Sequence, residues 1–197
     1  MTPRRVTGVV LAAGASSRLG QPKQLLPFRD STLLGETLRM ARSCGFGQLI
    51  VTLGASADAV RAATDLDGLD TVVAEDSGTG CSASLRVAVD HVDPRSDGIV
   101  LLLGDQPDVT AETVRRLIGL AGAHPIGACR YADGVGHPFW LSRSMFGEVR
   151  ILHGDKGVWK LIEGGRFDVR QVAIEGSTPL DVDTWADYER LCTGVAP

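Results

Sequence analysis

The sequence predicts an α/β domain built on a mostly parallel central sheet with helices on both faces. Three observations carry that expectation. Short, almost wholly apolar runs at residues 9–11, 49–53 and 99–103 read as strands buried on both sides. Stretches with apolar residues at helical spacing stand between them. The 197-residue length, with 44% hydrophobic and 22% charged residues, suits a single domain with a sizeable core, and no repeat or biased linker divides it.

Taken in order, Val9, Val10 and Leu11 form the first strand, which runs directly into a loop of small residues. Ser31 is then placed to cap a helix to about residue 44, with Leu34, Leu38 and Ala41 on one face and Gly45 as its stop. A strand at 49–53, a short helix at 57–63 and a strand at 71–74 follow. Residues 84–92 repeat the helical pattern with Leu85, Ala88, Val89 and Val92 inward, and 99–103 is the most hydrophobic strand. A helix runs from Thr110 to about residue 121. The last third is less regular, with strands expected at 126–130, 139–141 and 169–174, a helix near 156–162, a terminal helix from Thr184, and antiparallel pairing at one sheet edge.

In a sheet of this kind ligands bind beyond the carboxyl ends of the strands, which makes the loop after Leu11 the first place to look for chemistry. Ala12, Ala13, Gly14, Ala15, Ser16 and Ser17 carry little bulk to keep a ligand from the backbone N–H groups. Arg18 and Lys23 then supply positive charge, Arg as a planar fork and Lys as a mobile point charge, so the segment reads as a socket for a triphosphate. Two familiar phosphate loops do not fit. Gly14 and Gly20 are one residue too far apart for the Walker pattern, Lys23 comes three residues after the second glycine, and the dinucleotide fingerprint GxGxxG is absent.

The strand at 99–103 delivers Gly104, Asp105, Gln106 and Pro107 to the same edge. A carboxylate there calls for a cation. A second acidic cluster, Asp181, Val182, Asp183 and Thr184, comes late; bringing Asp183 within about 5 Å of Asp105 would cost roughly 3 kcal/mol of repulsion at an effective dielectric of 20. Mg²⁺ held by Asp105 and Asp183 would reverse that sign, with phosphate oxygens and water completing its shell. The plainer readings are a turn before Pro107 for Asp105 and an N-cap of the last helix for Asp183. Gly80 and Ser82 are placed to offer N–H and hydroxyl groups at a helix start, where anions are favoured, with an ordinary N-cap as the alternative for Ser82.

The net charge of −4, from 24 acidic and 20 basic residues, argues against a nucleic-acid partner. Cys44, Cys81, Cys129 and Cys192 show no zinc or redox spacing, which points to a cytoplasmic protein. No run approaches the roughly 20 apolar residues of a membrane span. The opening MTPRRVTGVVLAAGA superficially mimics a secretory signal, but its apolar stretch is short and cleavage near Ala13 or Ala15 would remove the first strand.

From Leu11 to Lys23 the chain reads LAAGxSxRxGxxK, which resembles the signature of nucleotidyltransferases and in particular the molybdenum cofactor cytidylyltransferase family. The resemblance continues through GDxP at Gly104 to Pro107, Gly-His-Pro at Gly136, His137 and Pro138, GDxG at Gly154 to Gly157, and DxDT at Asp181 to Thr184. It implies a single-domain Rossmann-like nucleotide-diphospho-sugar transferase fold, with the nucleotide side at about residues 1–110 and the acceptor side at about 111–197. It also implies a nucleoside triphosphate donor bound by Leu11, Ala12, Ala13, Gly14, Ser16, Ser17, Arg18, Lys23, Gly80, Ser82 and Asp105.

Lys23, Arg18 and Asp105 would carry catalysis, with Mg²⁺ on Asp105 and Asp183. A molybdopterin acceptor would meet Gln106, Gly136, His137, Pro138 and Asp155, and a molybdoenzyme would receive the product. Ala13, where related guanylyltransferases tend to carry a second Gly, points to CTP over GTP. The chain departs from the family at Trp185, where Pro commonly follows DxDT, and across residues 75–79. Other classes on the same scaffold are an oxidoreductase acting on a nicotine-derived pigment, for which no hydride-carrier motif is readable, and a non-catalytic molybdenum cofactor carrier.

Overall fold

The computed structural model describes residues 4–74, 80–154 and 156–194. Strand β1 (Val6–Ala12) is buried along its whole length. Its neighbours explain why: β4 (Gln48–Leu53) and β6 (Gly98–Leu103) pair with it in parallel on either side, so it has no solvent face to mark with polar residues. Beyond β4 lies β5 (Asp70–Val73), also parallel. The chain therefore builds outward from β1 in one direction and then crosses back to lay β6 on its other side. That reversal opens a crevice at the carboxyl ends of β1 and β6.

On the far side of β6 the sheet continues with β8 (Val135–Ser142), β7 (Ile126–Arg130) and β9 (Val169–Ala173), giving the order β5-β4-β1-β6-β8-β7-β9. β8 alone runs antiparallel to its neighbours. The expected antiparallel pairing is thus present, but inside the sheet and not at its edge, because Phe139, Trp140 and Leu141 are all fully buried and need cover on both faces. The reversal has a consequence for chemistry. With Leu101 opposite Phe139, the start of β8 is carried to the sheet edge where β6 ends, so Gly136 and His137 arrive beside Asp105.

Alternate strand residues face opposite layers. Val10 and Leu102 pack with α1 (Leu33–Arg42), α2 (Ala57–Ala63) and α4 (Ala111–Ala121), while Val9, Leu11 and Leu101 pack with α3 (Cys81–Asp90), α5 (Phe146–Arg150) and α6 (Trp159–Glu163). Both faces are covered, as the sequence predicts. A third cluster sits apart from them: Leu19, Leu26, Phe28 and Leu33 enclose Val182 and Leu191, the latter on α7 (Trp185–Thr193). It clamps the end of the chain over the loop that follows β1.

Several expected boundaries move, and two of the helix starts have a local cause. α1 is capped by Thr32, whose hydroxyl accepts from the Gly35 N–H at 3.0 Å, and not by Ser31, which pairs with Phe28 in a small ladder between β2 (Pro27–Phe28) and β3 (Ser31–Thr32). α3 begins three residues earlier than expected because Gly80, at φ +106°, takes the cap in a conformation that costs glycine little. Among the described residues no helix is long and apolar enough to cross a membrane.

Candidate active site

The loop after β1 is held from both ends. Ser16 adopts φ +52°, an uncommon conformation for a residue with a Cβ, and its hydroxyl accepts the Lys23 N–H at 2.9 Å. Gln24, nearly fully buried, donates from Nε2 to the Ala12 and Gly14 carbonyls at 2.7 and 3.0 Å. Sequence reasoning did not single out Gln24. The available signal was a lone amide between Lys23 and the apolar run that follows it.

Lys23 is the centre of the cluster. Its Nζ donates to Asp105 Oδ2 at 2.5 Å and to Asp183 Oδ1 at 2.9 Å, while Arg18 contacts the other oxygen of Asp183 at 3.2 Å. Burial by itself would lower the Lys23 pKa, but the two carboxylates outweigh it and raise the value. Asp183 is held below the usual carboxylate range by its Lys23 bond and by Arg18. Its place comes from Val182, which is fully buried in the third cluster and fixes the orientation of its neighbour. The N-cap alternative for Asp183 does not hold: Thr184 caps α7, its hydroxyl accepting the Asp187 N–H.

Asp181 stands at the mouth of the same crevice. It accepts from Gln106 Nε2 at 2.8 Å, and partial desolvation together with the charge of Asp105 raises its pKa. Gln106 also donates to the Pro179 carbonyl at 3.3 Å, so it joins the Asp105 turn to the returning segment and is nearly fully buried in doing so.

Across from Lys23, His137, Phe139 and Trp159 form an aromatic wall. The His137 and Phe139 ring centroids are 4.2 Å apart, and Trp159 meets Phe139 edge-on at 5.2 Å. Burial of the His137 ring pushes its pKa down to about 3, so the imidazole is neutral at physiological pH. The cleft between wall and loop has a volume of about 690 Å³.

Of the residues the sequence assigns to binding, Leu11, Ala12, Ala13, Gly14, Ser16, Ser17, Arg18, Lys23, Gly80, Asp105 and Asp183 line this cleft, as do Gln106, Gly136 and His137. Ser82 does not. Its hydroxyl donates to the Gly154 carbonyl at 2.5 Å, tying α3 to the 152–154 segment, and Cys81 and Ser84 take the cleft-facing positions. Pro138 is buried and does not line the cleft, and Asp155 and residues 75–79 lie outside the described residues.

Among the described residues no group of three or more His, Cys, Asp or Glu is placed to hold a metal alone. Two carboxylates that share one cation are nevertheless present, and here that cation is the Lys23 ammonium. Asp105 and Asp183 therefore suit a divalent ion whose remaining ligands are phosphate oxygens and water, a donor set typical of Mg²⁺ at nucleotides.

The family described as MobA-like NTP transferase domain matches residues 8–172. Nicotine blue oxidoreductase of Paenarthrobacter nicotinovorans is 32% identical over 196 residues, covering 94% of this chain and 96% of its own. A crystal structure of Rv0371c from Mycobacterium tuberculosis is 63% identical with TM-score 0.93, over 98% of this chain and 100% of that one; the same protein is also known as a manganese complex, 61% identical. A nucleotidyl transferase from Methanothermobacter thermautotroptrophicus is 25% identical with TM-score 0.82, over 98% of each chain. Structures that share only the nucleotide-diphospho-sugar transferase fold superpose at lower identity, among them a 4-diphosphocytidyl-2C-methyl-D-erythritol synthase at 11%.

Proposed function

Because the chain belongs to the MobA-like NTP transferase family, we propose that it is a nucleotidyltransferase which moves CMP from CTP to the terminal phosphate of a molybdopterin-type cofactor. The observation that carries this reading is the convergence on Lys23 of two carboxylates far apart in sequence, Asp105 just after β6 and Asp183 just before α7, beside a loop with no bulk to exclude phosphate. A hydride carrier would need a different kind of cradle.

The reaction is an in-line displacement. An oxygen of the acceptor phosphate bonds to the α-phosphorus of CTP, the bond from that phosphorus to the bridging oxygen breaks, and pyrophosphate leaves with the electron pair. The attacking phosphate monoester is already anionic, so positioning and charge neutralisation supply the catalysis. Lys23 and Arg18 bind the triphosphate and the departing pyrophosphate, each charge-assisted contact contributing about 1.5–3 kcal/mol. Ser16 and Gln24 hold the loop in the shape that receives it. Asp105 and Asp183 are the residues that would hold Mg²⁺ or Mn²⁺, whose chemistry there is to neutralise phosphate charge; the manganese complex of Rv0371c supports a divalent ion. Ala13, buried in the cleft wall, stands where related guanylyltransferases tend to carry a second Gly, and that resemblance is the support for CTP over GTP.

Pyrophosphate release tests the proposal, measured with Mg²⁺, the pterin cofactor and CTP, GTP or ATP in turn. Release with CTP alone establishes transferase and donor together. Release with GTP keeps the mechanism and overturns the donor choice. The 32% identity to nicotine blue oxidoreductase favours a second reading, and it prevails if NAD(P)H is consumed while no donor yields pyrophosphate.

A further inference from the structure

The segment between α5 and α6 is pinned on both sides of Lys156. Before it, Gly154 accepts from the Ser82 N–H and hydroxyl at 3.3 and 2.5 Å, and Leu152 accepts from the Arg86 guanidinium, so this part is tied to α3. After it, Val158 and Leu161 are buried in the core on the same face of the sheet. Lys160 turns its ammonium back onto the His153 carbonyl at 2.7 Å. Lys156 does not. It is exposed, lines the cleft, and has no hydrogen-bond or ion-pair partner among the described residues.

The other charges of the cleft give that lysine its meaning. Arg18 and Lys23 are already matched to Asp105 and Asp183, and Asp181 adds a third carboxylate, so three acids stand against two bases on the nucleotide side. His137 is neutral. A phosphate brought up to a bound triphosphate meets like charge there. Among the described residues that line the cleft, Lys156 is the one cation not already held by a carboxylate.

We propose that Lys156 binds the phosphate of the acceptor, apart from the Arg18 and Lys23 subsite for the triphosphate, so that the cleft takes a phosphate monoester in preference to a neutral alcohol as the attacking group. This deepens the transferase reading, on which it rests in one respect: the anion held at Lys156 is taken to be the attacking one. Loss of one charge-assisted contact weakens binding by about tenfold or more.

The test saturates the full chain with Mg²⁺ and the α,β-methylene analogue of CTP, which occupies the triphosphate side, and titrates it with inorganic phosphate by calorimetry. Lys156→Met should weaken phosphate binding about tenfold or more. Lys156→Arg, which keeps the charge, should stay within about threefold of the native protein. Affinity for the CTP analogue should be the same in all three proteins. In turnover, Lys156→Met should raise the acceptor KM and leave the KM for CTP in place. Unchanged phosphate affinity in Lys156→Met overturns the assignment. So does the absence of saturable phosphate binding in the native protein, or an equal loss of analogue binding, which would put Lys156 on the nucleotide side. The two readings fail separately. If the analogue does not bind, or no donor yields pyrophosphate, the transferase is retired, and the same titration of the nucleotide-free chain still decides the role of Lys156. Pyrophosphate release by Lys156→Met at the native acceptor KM would do the reverse.

Discussion

Lys23 and Asp105, 82 residues apart, meet at 2.5 Å with little exposure of either side chain, and the same ammonium reaches Asp183 at 2.9 Å. The lysine thus neutralises the two carboxylates assigned to a divalent ion. A divalent ion bound there would compete with the ammonium for the same oxygens unless a bound triphosphate drew Lys23 away. Lys23→Met should therefore raise the Mn²⁺ affinity of the nucleotide-free protein, by about tenfold for the loss of one adjacent positive charge. It should also raise the KM for CTP and lower kcat. Calorimetric titration with Mn²⁺ checks the first outcome; an unchanged affinity would show that Lys23 does not guard the carboxylates.

A pH dependence of stability follows from His137. In an unfolded chain its imidazole titrates near 6.5, whereas burial in the fold pushes it to about 3. Between those values the unfolded state holds a proton that the folded state lacks. The stabilising difference is complete above about pH 6.5 and is lost as pH falls toward 3, with roughly 2 kcal/mol gone by pH 5. Urea unfolding at pH 7 and pH 5 should show this loss in the native protein and a much smaller one in His137→Gln. An equal loss in both would place the effect on other groups.

What the sequence made legible was local. The apolar run of β1, the small loop and the strand-end Asp105 each announce themselves within a dozen residues, and all three stand where expected. Thr32 and Ser31 are adjacent capping residues, Ser the better by propensity, and packing overrides that preference, with fully buried Leu33 and Leu34 setting the start of α1. The full length of β8 was hidden because Gly136 and Pro138 carry turn chemistry into what proves to be a strand. Ser82 looked like an anion contact or a cap; only the tertiary approach of Gly154, 72 residues on, decides against both. The joining of Asp183 to Lys23 depends on Val182 entering a cluster with Leu19 and Leu26, and no periodicity records a contact of that kind.

Gly104 joins β6 to the Asp105 turn in a space with no room for a methyl group. A Cβ there would stand 2.9 Å from Ala12 Cβ and 3.2 Å from the Leu11 carbonyl oxygen, both fixed parts of β1. Gly104→Ala should cost about 1–3 kcal/mol in thermal unfolding, as overpacking does. Because the displaced residue precedes Asp105, kcat should also fall, by about tenfold or more for a misplacement near 1 Å. A stable variant with native turnover would show that β6 can shift without moving the carboxylate.

The capping box of α7 links stability to the site. Thr184 accepts the Asp187 N–H at 3.2 Å, and Asp187 in return accepts the backbone N–H groups of Thr184 and Asp183 at 2.8 and 3.3 Å. The Thr184 bonds are the first reason that Asp187 is held down to about 2. Thr184→Ala removes the cap and should lower stability by about 1 kcal/mol, while Thr184→Ser, which keeps the hydroxyl, should restore most of it. Asp187→Ala goes further, since it also frees the amide that holds Asp183 in register with Lys23. Its stability should fall by a similar amount, but its Mn²⁺ affinity should fall too, whereas Thr184→Ser should bind the ion as the native protein does. Equal Mn²⁺ affinity in Asp187→Ala and the native chain would assign the placement of Asp183 to buried Val182 alone and leave the capping box a purely helical role.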